Sequence, residues 1–124
     1  MNGTAVSSDR RKKEDISPLD WRYEEFFKHL NPVAFKYTDG TSGRKHTGFI
    51  AQEVEEAVQK AGLSDKELAV VVRDQDDSYY LRYEELIAIQ TEVIKSLMAK
   101  VETLESDNKK SETKINKLES RLEK

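Results

Sequence analysis

The amino-acid sequence predicts an α+β chain: a small head of mixed helices and strands, followed by one long C-terminal helix that forms a parallel coiled coil. Three observations lead there. Residues 94–124 carry an apolar repeat of seven. Nothing after Arg82 interrupts a helix, since that stretch holds no Gly or Pro and Tyr83 is its last aromatic residue. Residues 17–81 switch between helical and alternating apolar patterns at turn signals.

Taken in order, residues 1–15 are polar and rich in Ser, Arg and Lys, a lead-in with no core-facing pattern. Ser17 is the expected N-cap of a first helix, with Pro18 at its first helical position. Leu19, Tyr23, Phe26, Phe27 and Leu30 share an apolar face with Trp21 off to its side, and Asn31-Pro32 ends the helix. Residues 33–38 alternate and are β-branched or aromatic, as in a strand, and Asp39-Gly40 turns the chain. Residues 41–45 read as loop and 46–50 as extended chain. A second helix spans 51–61, with Val54, Val58 and Ala61 on one face, Ala57 widening it and Gly62 at the C-terminal cap. Residues 68–73 and 78–81 form a hairpin around Gln75-Asp76-Asp77. One helix of roughly forty residues then follows, about 60 Å long at 1.5 Å per residue.

With Ile94 at heptad position a, the a positions are Ile94, Val101, Asn108, Ile115 and Leu122, and the d positions are Leu97, Leu104, Ser111 and Leu118. A seam repeating every 3.5 residues stays turned toward its partners only if the helices supercoil. Position e holds Glu105, Glu112 and Glu119; position g holds Lys100, Asp107, Lys114 and Arg121. In a parallel pairing g meets the following e, which matches Lys100 with Glu105 and Lys114 with Glu119 against one mismatch, Asp107 with Glu112. An antiparallel homo-oligomer would set the Glu row against itself. Ile at a, Leu at d and a single Asn at a are, on their own, the pattern of two strands. The polar pair Asn108 and Ser111 lowers stability in mid-stalk and sets register.

A chain of 124 residues holds one domain of ordinary size. Without the stalk, about ninety residues remain to fold compactly, which is marginal for a lone monomer. A net charge of −3 argues against a general nucleic-acid binder, and the one basic run, residues 10–13, is answered at once by Glu14 and Asp15. The absence of cysteine excludes disulfides and thiolate metal sites. The longest apolar run, 68–72, is too short to span a membrane, and no apolar signal segment opens the chain. No carboxylate stands at metal-ligand spacing from His29 or His46, so no metal site is expected. Asp74, Asp76 and Asp77 lack the glycine and terminal glutamate of a calcium loop and read as a hairpin turn. Gly40 and Gly43 make no phosphate loop. Phe49 and Val54 read as core, Gln52 and Glu53 as polar contacts at an interface between copies or with an upstream domain, and Trp21, Tyr79 and Tyr80 as core or interface packing in preference to an exposed binding surface. No cofactor is expected.

Three motifs in this order carry a resemblance: Ser8-Asp9-Arg10-Arg11-Lys12-Lys13 followed by Glu14-Asp15-Ile16; Gly48-Phe49-Ile50-Ala51-Gln52-Glu53-Val54; and Tyr80-Leu81-Arg82-Tyr83 leading into the long helix. Together they resemble the C-terminal intramolecular chaperone domain of phage tail fibres and tailspikes, including endosialidases and neck-appendage proteins, which also occurs in the myelin regulatory factor family. The resemblance runs from Ser8 through nearly the whole chain. It implies a homotrimer, hence three strands in the stalk, that aligns the upstream fibre of its own polypeptide for folding and then cuts itself off. It divides the chain into an upstream remnant (1–7), a chaperone and autoprotease head (8–83) and a helical stalk (84–124). It implies work in the host cytoplasm during virion assembly and release from the mature fibre, with neither nucleic acid nor membrane as partner.

Members of the family use a Ser–Lys dyad with the lysine five residues after the serine. Ser8 and Lys13 match that spacing, as do Ser7 and Lys12; the family serine precedes Asp, as Ser8 precedes Asp9, which favours Ser8. By analogy the scissile bond joins Ser7 to Ser8. A serine hydroxyl needs a base, and a lysine serves only when neutral, against an ordinary pKa of about 10.4. Burial or neighbouring positive charge lowers that value; Arg10, Arg11 and Lys12 supply the charge and trimer assembly the burial, so cleavage would await folding. Asp9 is assigned no catalytic role.

Two alternatives stand beside this reading. One is a structural trimerisation module that never cuts. The other is the myelin regulatory factor arrangement, in which cutting frees a transcription factor from a membrane anchor. A chain ending at Lys124 without a membrane segment favours the phage arrangement.

Overall fold

The computed structural model of the chain describes residues 5–123. The first four residues of the expected upstream remnant, and Lys124 at the stalk's end, lie outside the described residues. The element order is a 3-10 turn (Arg10–Lys12), α1 (Trp21–Lys28), β1 (Val33–Phe35), β2 (His46–Gly48), α2 (Ala51–Lys60), β3 (Val71–Arg73), β4 (Tyr79–Leu81) and α3 (Glu85–Leu122). A small helix/strand head carrying one long C-terminal helix is therefore observed.

The first helix starts later than the sequence suggests. Ser17 and Pro18 stay outside any helix, and Asp20 is the N-cap, its carboxylate accepting from the Arg22 backbone N–H at 3.0 Å. A tertiary clamp selects this start over the Ser-Pro signal. The Arg22 guanidinium donates to Asp20, to Glu67 at 2.6 Å and to the Gly62 carbonyl, and the Tyr23 hydroxyl donates to the Glu67 carbonyl. These bonds tie the first turn of α1 to the loop after α2. The Arg22 guanidinium holds the Glu67 and Asp20 carboxyls below the usual carboxylate range.

α2 turns Val54, Ala57 and Val58 inward and ends in a Schellman motif. Gly62 has φ +76°, the Leu63 N–H reaches the Val58 carbonyl, and the Gly62 N–H reaches that of Gln59. The left-handed conformation needed there is the one glycine adopts without strain.

Two antiparallel hairpins complete the head. β1 pairs with β2 in the register Val33↔Gly48 and Phe35↔His46, and β3 pairs with β4 in the register Val71↔Leu81 and Arg73↔Tyr79. The strands are shorter than the apolar runs suggest, three residues each. The core joins Phe26 of α1, the inner face of α2, Leu63, Leu68 and Val70 of the connecting loop, and Leu86 and Ile89 of α3. The first turns of the long helix thus belong to the head. From Leu97 to Glu123 every residue is exposed.

Candidate functional site

Ser8 and Lys13 meet. The Lys13 Nζ donates to the Ser8 Oγ at 2.8 Å, and the intervening backbone explains how. Asp9 caps the 3-10 turn, accepting from the Arg11 backbone N–H at 2.9 Å. The Lys12 and Lys13 amides bond back to the carbonyls of Asp9 and Arg10, so the chain curls and brings positions 8 and 13 side by side. The Arg11 side chain grips the Asp9 carboxylate at 2.7 Å and holds it below the usual carboxylate range. Asp9 is therefore spent on the turn and on Arg11, and the Ser8–Lys13 pair is left to itself. The role of Asp9 as a cap is legible in the run Ser-Asp-Arg-Arg, since Asp favours a position where its side chain bonds an amide two residues on. Ser7, Ser8 and Lys13 are all exposed, as is every described residue before Leu19.

The second and third motifs also come together. Gly48 ends β2 directly under Tyr83: a β-carbon built there would stand 2.6 Å from the Tyr83 hydroxyl and 3.3 Å from the Phe35 ring. The Tyr83 hydroxyl accepts from the Phe49 N–H at 3.3 Å, and the Phe49 and Tyr83 rings lie 6.1 Å apart. We expect Gly48→Ala to displace the Tyr83 side chain and cost about 1–2 kcal/mol of stability, read as a lowered midpoint in urea unfolding.

These contacts form the floor of an open groove of about 640 Å³ walled by Phe35, Tyr37, Phe49, Gln52, Tyr80 and Tyr83. The acidic turn after β3 makes its lip. There Asp77 sits at φ +65°, and the Asp74 carboxylate accepts from the Asp76 and Ser78 amides and from the Tyr80 hydroxyl. Tyr80 is not core: it is more than half exposed in the single chain, because β4 turns it away from α2 and onto this lip. Trp21 is likewise exposed rather than core. His46 stacks with Phe35 and Tyr37, and His29 faces Glu25.

On the stalk, the assigned seam forms one exposed apolar stripe: Ile94, Leu97, Val101, Leu104, Ile115, Leu118 and Leu122 all lie half or more in solvent, Leu104 at 67 %. Ile87 belongs with them, at 62 % exposure and seven residues before Ile94. Counting the heptad backward from Ile94 would have found it.

Residues 8–63 match the Peptidase S74 family, described as the chaperone of endosialidase. The match begins at Ser8. The chain is 32 % identical over 99 residues to the capsule K3-specific depolymerase 1 of Klebsiella phage KP32, an alignment that spans 76 % of this chain and 11 % of that protein. Its fold resembles a solved structure described as a novel intramolecular chaperon, with a TM-score of 0.59 and 21 % identity over 75 % of this chain and 99 % of the other. Among the described residues no helix is long and apolar enough to cross a membrane.

Proposed function

Because residues 8–63 make this chain a member of the Peptidase S74 family, the chaperones of endosialidase, we propose that it is the self-releasing folding domain of a phage fibre or depolymerase. In this reading residues 84–124 assemble three copies, residues 8–83 assist folding of the upstream fibre, and Ser8 and Lys13 cut the bond that joins Ser7 to Ser8 once. Residues 1–7 are then the end of the fibre.

The observation that carries the proteolytic part is the 2.8 Å approach of Lys13 Nζ to Ser8 Oγ, at the residue where the family match starts. The observed bond has the amine as donor. The same separation serves the reverse exchange once the amine is neutral, when it accepts the hydroxyl proton.

A serine that is both nucleophile and first residue of the released piece dictates the steps. Ser8 Oγ attacks the Ser7 carbonyl carbon while Lys13 takes the hydroxyl proton. The carbon–nitrogen bond breaks, and the proton passes to the Ser8 nitrogen, leaving an ester between Ser7 and the Ser8 oxygen. Water then hydrolyses the ester to a Ser7 carboxylate and a free Ser8 hydroxyl. Covering the pair favours the neutral amine, so cutting follows assembly.

The trimer rests on the exposed stripe of α3. An isolated helix of that kind is marginal in water, and burying one leucine contributes about 1.5–3 kcal/mol. The heptads alone favour two strands; family membership and the additional interface of the head favour three.

The test is intact-mass analysis of the domain expressed behind its native fibre, with and without hydroxylamine. We expect a cut between Ser7 and Ser8, and hydroxylamine should speed it and leave a hydroxamate on Ser7. A correctly trimeric parent that never cuts would remove the protease and leave a folding clamp.

A further inference from the structure

A lysine base that must shed its proton stands in solvent in the single chain, on a lead-in whose side-chain bonds and ion pairs are, among the described residues, all internal to it. Something must cover it. The lead-in has two unpartnered apolar side chains, Val6 at 81 % and Ile16 at 61 % exposure, flanking Arg10 and Lys12, which take part in no ion pair among the described residues.

The head offers the complement. Its aromatic groove is lined by no residue of the lead-in. The lip carries Asp77, with Asp76 beside it on the same turn, and neither carboxylate takes part in an ion pair among the described residues. Tyr80, held by its hydroxyl on Asp74 at 3.1 Å, fixes the wall between the lip and the apolar floor. Basic run with apolar flanks and acidic lip with aromatic floor match in both charge and polarity.

We infer that the groove of each head receives the lead-in, residues 5–16, of a second copy of this chain, and that this docking covers the Ser8–Lys13 pair. The inference rests on the self-releasing reading above and deepens it: the cutting machinery is complete only between copies. Parallel stalks place the heads side by side at one level, within reach of a neighbour's lead-in.

The test places the photo-crosslinking residue p-benzoylphenylalanine at position 16 of the chain carrying Ser8→Ala, expressed with its native fibre. Irradiation should give covalent dimers whose cross-linked peptide contains Tyr80 to Tyr83 of another copy. Asp76→Lys with Asp77→Asn, the asparagine being tolerated at positive φ, should lower the dimer yield about five-fold, and adding Arg10→Glu should restore it. Cross-links to the same chain or to the fibre, or a yield unmoved by the charge change, overturn the docking. In chains that retain Ser8, the Asp76→Lys, Asp77→Asn pair should slow cutting; cutting at the parental rate overturns the covering role. If the parent does not cut while the cross-links form as expected, the docking stands and the protease reading falls.

Discussion

Ser8→Ala abolishes release: the fibre and its folding domain stay joined on a denaturing gel however long they are incubated. The expectation is absolute because the hydroxyl is the atom that forms the ester; no neighbouring group replaces it. Lys13→Ala should slow the cut by about 10²–10⁴-fold, the usual contribution of a positioned base. Lys13→Arg should be as inactive as Lys13→Ala, since a guanidinium stays charged and cannot accept the hydroxyl proton. Ser7→Ala separates the two serines. It leaves the 2.8 Å pair of Ser8 and Lys13 in place, and cutting should persist, with the substituted alanine as the new C-terminus of the fibre. If Ser7→Ala, rather than Ser8→Ala, stops the cut, the dyad is Ser7 with Lys12 and the scissile bond moves one residue. Each variant is read by intact mass beside its oligomeric state, so that loss of assembly is not taken for loss of chemistry.

Leu104→Asp should turn the proposed trimer into monomers at micromolar concentration, measured by sedimentation velocity. In the single chain Leu104 is 67 % exposed and packs against no head residue, so the substitution spares the core around Phe26 and Val54. Its cost falls on assembly. Losing three buried leucines removes about 5–9 kcal/mol from the trimer, and three carboxylates would then have to share the axis. Circular dichroism should show the helix beyond the head melting while the head remains. Under the proposed mechanism cutting is lost as well. The converse substitution, Asn108→Val, removes the polar break in the seam and should raise the melting temperature of the stalk.

The periodic parts of this fold are legible in the sequence because their causes are local. The α2 face, its Gly62 cap, the hairpin at Asp76-Asp77 and the length of α3 follow from spacing and turn chemistry in neighbouring residues. The start of α1 is not legible. Ser17 and Pro18 present a good local signal, and they lose to Asp20 because Arg22 is held from forty residues away, by Gly62 and Glu67. The groove is hidden for the same reason: its walls come from residues 35–37, 49–52 and 77–83, and only the pairing of two hairpins with α2 brings them together. The Ser8–Lys13 pair lies between these cases. Spacing and resemblance propose it, whereas the turn that closes the distance depends on Asp9, a residue the proposed chemistry does not use.

The long helix serves the head and the stalk with no joint between them. Leu86 and Ile89 are sunk in the head's core while Ile87, on the opposite side, opens the seam. At 3.6 residues per turn, a step of one residue rotates a side chain by about 100°, so those three positions lock the rotational phase of the head to that of the stalk. The head works like a keyed cog on a shaft: if three helices assemble as proposed, the register they choose settles the azimuth of every head about the axis. Nor can a head swivel on its stalk, since no Gly or Pro follows Arg82 to let it. Alignment of the three upstream chains would then be dictated some forty residues downstream, by which side of one helix is greasy.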